Sequence, residues 1–142
     1  IYDTAYQYDV ISNYPGDIEV KMSSRLRMGC KWIGTNGWVY VDRGRLEASN
    51  PEWIKDGFNP GNYQAYNSPG HQRNFIESVK SRKETIAPSE SAHRSIAPGH
   101  LAYVSHEVGR SLKWDPKKEV ILGDEKAQKI LMSLPYRGDW KI

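Results

Sequence analysis

Residues 32–49, WIGTNGWVYVDRGRLEAS, set Asn36-Gly37 between two runs rich in aromatic and β-branched residues, the strongest short-range signal for a β-hairpin. With Asn36-Gly37 as a two-residue turn, Thr35 faces Trp38, Ile33 faces Tyr40 and Lys31 faces Asp42. Cys30, Trp32, Val39 and Val41 then line the opposite side. Both sides carry large apolar groups. A helix layer can cover one of them; a partner sheet or a second subunit is the economical cover for the other. Trp32, Trp38 and Tyr40 could also form a sugar-stacking platform, although paired aromatics on a sheet more often pack.

Upstream of this hairpin, Tyr6, Tyr8 and Val10 alternate with Gln7, Asp9 and Ile11. After a turn at Tyr14-Pro15-Gly16-Asp17, Ile18, Val20 and Met22 alternate with Glu19, Lys21 and Ser23, the pattern of a half-buried antiparallel pair. A tight reversal at Asp42-Arg43-Gly44 leads into a short strand over residues 45–48. Residues 50–69 turn to Pro, Gly, Asn and Asp; a helical turn is expected at Pro51-Glu52-Trp53-Ile54 and an edge strand over residues 62–66. Ser68-Pro69 offers a cap followed by proline at the first helical position, and Phe75, Ile76 and Val79 form a stripe running to about Lys83.

A longer helix is expected from about Ser89, which can cap it, to Val108, with Gly109 as its stop. Pro98-Gly99 falls inside it, so a kink or a break into two helices is expected, because proline removes one donor and crowds the carbonyl four residues back. A short strand at residues 112–114, a turn at Asp115-Pro116, a strand at 119–122 and a helix from about Asp124 to Met132 follow. The tail PYRGDWKI, residues 135–142, reads as irregular.

The 142 residues, 38% hydrophobic and 26% charged, suit one globular domain or part of a larger protein. A net charge of +3, with small basic clusters only at residues 80–83 and 117–118, is too weak to argue for nucleic acid. No apolar run approaches the roughly 18 residues of a membrane span. The opening IYDTAYQYDV lacks an initiating Met and reads as a strand instead of a signal peptide; the expectation is an excised piece whose missing part lies upstream. Cys30 is the single cysteine, which excludes an intrachain disulfide and a cysteine-based metal cluster. It fits a reducing or an oxidising compartment, so cytoplasm and periplasm stay equally open.

Chemistry-bearing patterns are few. Gly34-Thr35-Asn36-Gly37 lies within a hairpin and opens no helix, so it is no dinucleotide turn, and there is no P-loop. His93 and His100 stand about 10 Å apart along a helix at 1.5 Å per residue, too far to clamp one ion easily, so no metal site is expected. His106 points to another face. His93-Arg94-Ser95 near a helix start could receive a carboxylate or a hydroxyl-rich ligand, or Arg94 could bridge to a sheet carboxylate. His71 and Arg73 at the preceding helix start carry the same two readings. No serine sits in a nucleophile elbow.

Taken in order, IGTNGWVYVDRGRLEAS, SPGHQRNFIESVKSRKETI, HRSIAPGHLAYVSHEVGRSLKWDPKKE and PYRGDWKI resemble the C-terminal domain of bacterial oxidoreductases of the Gfo/Idh/MocA family, relatives of glucose-fructose oxidoreductase and inositol dehydrogenase. The resemblance covers residues 9–142 and is strongest over 93–114. It implies an α+β fold: an open, mainly antiparallel sheet with helices packed on one face. It also implies that residues 1–142 form a single C-terminal substrate and oligomerisation domain, and that an N-terminal Rossmann domain, absent from this chain, binds NAD or NADP.

The bare sheet face of such domains commonly meets another subunit or shapes the substrate side, which makes Trp38, Tyr40 and Ile33 candidates for a homo-oligomer surface. His71, Arg73, His93 and Arg94 become candidates for the substrate side. The family's glycine-rich cofactor turn, its Glu-Lys-Pro motif and its Asp/His catalytic segment have no counterpart; Glu125-Lys126-Ala127 is a helix start. No catalytic and no cofactor-binding residue is therefore carried over. The implied function is a C-terminal domain of an NAD(P)-dependent oxidoreductase acting on a sugar, cyclitol or related polyol, not catalytic alone. The alternative is a non-catalytic carbohydrate-binding or dimerisation module.

Overall fold

The computed structural model describes residues 5–59, 61–62 and 66–133. Secondary structure runs β1 (Asp9–Tyr14), β2 (Ile18–Ser23), β3 (Cys30–Gly34), β4 (Gly37–Asp42), β5 (Arg45–Ala48), a 3-10 turn (Pro51–Ile54), α1 (His71–Ser81), α2 (Ser89–Val108), β6 (Trp114–Asp115), β7 (Val120–Ile121) and α3 (Glu125–Met132). The α+β class is as expected, and every strand pair is antiparallel. The strands divide among three small sheets, β1-β2, β3-β4-β5 and β6-β7. The chain falls into two compact units divided between Pro69 and Gly70. The expected edge strand over residues 62–66 and the irregular tail at 135–142 lie largely or wholly outside the described residues.

In the first unit the alternation of β1 and β2 is realised as read. Val10 faces Met22, Ser12 faces Val20 and Tyr14 faces Ile18, which sets these apolar residues on one side and Ile11 on the other; the pair is not half-buried as expected, since Tyr14, Ile18 and Val20 stay exposed. Asp17 closes the turn with φ 58°, a left-handed conformation that Asp tolerates.

The central hairpin pairs differently from expectation. Ile33 faces Trp38, Trp32 faces Val39 and Lys31 faces Tyr40, two residues away from the register that an Asn36-Gly37 turn would give. Thr35 and Asn36 form the loop, and neither has a positive φ. Gly37, at φ 146°, takes the conformation closed to other residues. A slip of one residue would have exchanged the two faces, whereas a slip of two keeps them. Cys30, Trp32, Val39 and Val41 therefore still share one side.

Gly37 is required twice over. A Cβ there would run into the Ser49 hydroxyl and come within 2.9 Å of the Trp53 ring. The Ser49 hydroxyl accepts the Trp38 N–H at 2.9 Å, and Ser49 donates its own N–H to the Trp38 carbonyl at 2.9 Å. The hairpin is thus closed against the 3-10 turn, which Asn50 caps by accepting the Glu52 N–H at 3.0 Å.

On the same side as Trp38, Tyr40 is 5% exposed. Its hydroxyl donates to the Met28 carbonyl, and the Arg27 guanidinium lies 4.1 Å over its ring. Arg27 also makes two bonds to Glu47, at 2.8 and 3.0 Å. Lys31 stands 4.2 Å over Trp38. Basic side chains lie over this part of the sheet.

In the second unit, α1 begins at His71 after Gly70, φ 112°, with no side-chain cap. The expected Ser68-Pro69 cap is not used, because the chain enters the helix through the glycine. Arg82, φ 59°, ends α1 by donating its N–H to the Ser78 carbonyl. Buried Asn74 accepts the Ile86 N–H at 3.0 Å, tying α1 to the connection that follows. Phe75, Ile76 and Val79 remain exposed.

The break into two helices does not occur: α2 is one continuous helix through Pro98, and Ser89 is its first residue instead of its cap, a position taken by Pro88. Pro98 still forfeits one backbone bond. The two halves are held separately: Leu101, Val104 and Val108 pack into a core with Ile121, Ala127, Leu112, Trp114, Ile130 and Leu131, and His93 and Arg94 anchor the half before the proline. Val104 is 1% exposed.

Replacing Gly37 by Ala is expected to destabilise the first unit by about 1–3 kcal/mol. Gly44→Ala, at φ 77° with open space around the Cβ position, should cost roughly 1 kcal/mol. Urea unfolding followed by tryptophan fluorescence compares them, and equal losses would contradict the close approach of Ser49 and Trp53.

Candidate functional site: the exposed face of the second helix

Gly109 ends α2 at φ 67°. Its N–H is donated to the His106 carbonyl and that of Arg110 to the Ser105 carbonyl, both at 3.2 Å, a Schellman ending that turns the chain back on itself. Arg110 then reaches Asp124 with two parallel bonds, Nε to Oδ2 at 2.7 Å and Nη2 to Oδ1 at 2.8 Å. Asp124 Oδ1 also accepts the Ala127 N–H at 3.0 Å and so caps α3. The Arg110 guanidinium, followed by the Ala127 N–H, holds the Asp124 carboxyl below the usual carboxylate range. Gln128 Oε1 accepts the Ile121 N–H at 2.6 Å, which fixes β7 to α3.

The β6–β7 turn is organised by Asp115, whose Oδ1 accepts the N–H groups of Lys117 at 2.9 Å and Lys118 at 3.1 Å. Those donors lower its pKa, Lys118 foremost. Glu119 sits at φ 55° and donates its N–H to the Asp115 carbonyl at 2.8 Å.

Two of the four substrate-side candidates meet this turn. His93 Nε2 lies 2.9 Å from Glu119 Oε1. Arg94 donates Nη1 to the Pro116 carbonyl at 3.3 Å and Nε to Glu90 of its own helix at 2.6 Å. The carboxylate that Arg94 pairs with is thus helical, and His93 is the residue that finds a carboxylate on the turn.

His71 and Arg73 are placed elsewhere. Arg73 pairs with Glu77 one turn along α1 at 3.0 Å, His71 is exposed, and α1 does not pack along α2. Of the sheet candidates, Ile33 is 78% exposed, Trp38 half-buried and Tyr40 occupied inside its own unit. Among the described residues no group of three or more His, Cys, Asp or Glu could hold a metal ion, and no helix is long and apolar enough to cross a membrane.

Beside the packed stripe of α2 runs an exposed one: His93, Ile96, His100 and Tyr103, at spacings of three, four and three, which places them along one helix face. Reading the residues singly found His93 and missed its continuation through His100 and Tyr103. The signal was present in the spacing. The Arg110–Asp124 bond was not legible, since fourteen residues separate the pair.

The family model described as "Oxidoreductase family, C-terminal alpha/beta domain" in the Gfo/Idh/MocA series matches residues 58–142. The chain belongs to this oxidoreductase family. The Gfo/Idh/MocA match takes in the whole second unit, with its core, its Arg110–Asp124 bond and the α2 stripe, whereas β1 to β5 precede it. No curated protein and no solved structure matches the chain.

Family membership raises the question of a dinucleotide, which the glycine pair of the central hairpin does not fit. A pyrophosphate needs a glycine-rich turn between a strand and a helix, with backbone N–H groups free to approach it. Gly34 and Gly37 flank a strand-to-strand loop, and the space beside Gly37 is filled by Ser49 and Trp53.

Because Asp115 and Asp124 have lowered pKa values in the fold, each contributes stability that is present above the unfolded value of about 3.9 and lost as pH falls through the lower folded value. The second unit should therefore weaken progressively below about pH 4. Asp124→Asn should be less stable at neutral pH and lose less on acidification. Urea midpoints at a series of pH values check this; parallel profiles for the two proteins would contradict it.

Proposed function

We propose that this chain is the substrate-side, C-terminal domain of an NAD(P)-dependent oxidoreductase that moves a hydride to or from a sugar, cyclitol or related polyol. A separate N-terminal Rossmann domain carries the dinucleotide in this reading, residues 1–142 act as one domain of the parent, and the chain alone does not catalyse. The observation that carries it is the exposed α2 stripe of His93, Ile96, His100 and Tyr103 within the segment matched to the family. Imidazole and phenol groups can each donate or accept a hydrogen bond, which suits a ligand rich in hydroxyls. Arg94, with five donors, has N–H groups beyond those given to Glu90 and Pro116.

A nuclear magnetic resonance titration of the chain with a panel of sugars and cyclitols at millimolar concentration tests this. Shifts are expected at His93, Ile96, His100 and Tyr103, with no turnover of added NADH or NADPH. Shifts confined to the β3–β4 hairpin, around either Trp32 or Trp38, would replace the reading with a carbohydrate-binding sheet, and sustained turnover would overturn the division of roles.

A second role, in self-association, is favoured by Ile33 at 78% and Trp32 at 59% exposure on a strand at the sheet edge. Light scattering over a range of concentrations is expected to give a dimer, which Ile33→Lys converts to monomer with the fold intact. Tyr40→Ala should instead unfold the sheet, since Tyr40 is buried under Arg27. A wild-type monomer at all concentrations would remove the association role.

A further inference from the structure

We draw no further inference here: the strongest candidate, the exposed apolar stripe of Phe75, Ile76 and Val79 along α1, is an unpartnered helix face, and nothing in the structure shows what covers it.

Discussion

Arg110 and Asp124 join the end of α2 to the start of α3 by a two-point bond, and the arrangement of the second unit depends on it. A guanidinium fork and a carboxylate meet in one planar geometry, so the bond fixes orientation as well as distance. Asp124, whose side chain is 15% exposed, spends a further lone pair on the Ala127 N–H and so sets where α3 begins. Once α3 is placed, Ala127 lies against Val104 and Ile121, and Gln128 takes the β7 backbone. The direction of α2 follows, and with it the direction of its exposed stripe.

That arrangement rests on a small core. The buried hydrophobic side chains among the described residues are Tyr40, Val104, Ile121 and Ala127, and the first unit contributes only Tyr40. Small units bury too little apolar surface to be very stable by that route alone, so directional bonds matter more here. Asp115 gathers the β6–β7 turn, Asn50 caps the 3-10 turn and Arg27 grips Glu47 across Tyr40. Exposed ion pairs contribute little individually. The contribution of these groups is to select one local geometry.

Local signals read well from the sequence where the cause was local. The alternation in β1 and β2, the Arg45–Ala48 strand, the turn at Pro51–Ile54, the Gly109 stop and the helix after Asp124 all depend on neighbours within a few residues. Two expectations failed where the contacts lie farther along the chain. The hairpin register is set by Ser49 and Trp53 closing on Gly37, which an Asn-Gly rule cannot contain. The helix α2 runs on through Pro98, and the half before the proline is held by His93 and Arg94 against a turn more than twenty residues downstream. His93 and Arg94 were legible as chemistry, but their partners Glu119 and Pro116 were not.

The central claim is that α2 is packed over residues 101–108 and open before Pro98, and that its exposed face of His93, Ile96, His100 and Tyr103 is the proposed substrate side. Hydrogen–deuterium exchange along α2 in the intact chain tests it most directly. The account predicts strong protection for residues 101–108, around buried Val104, and graded loss toward residues 89–97, with faster exchange there when His93 is replaced by Ala. Uniform protection from residue 89 to residue 108 would mean that the half before Pro98 is held as firmly as the half around Val104, and would contradict the account.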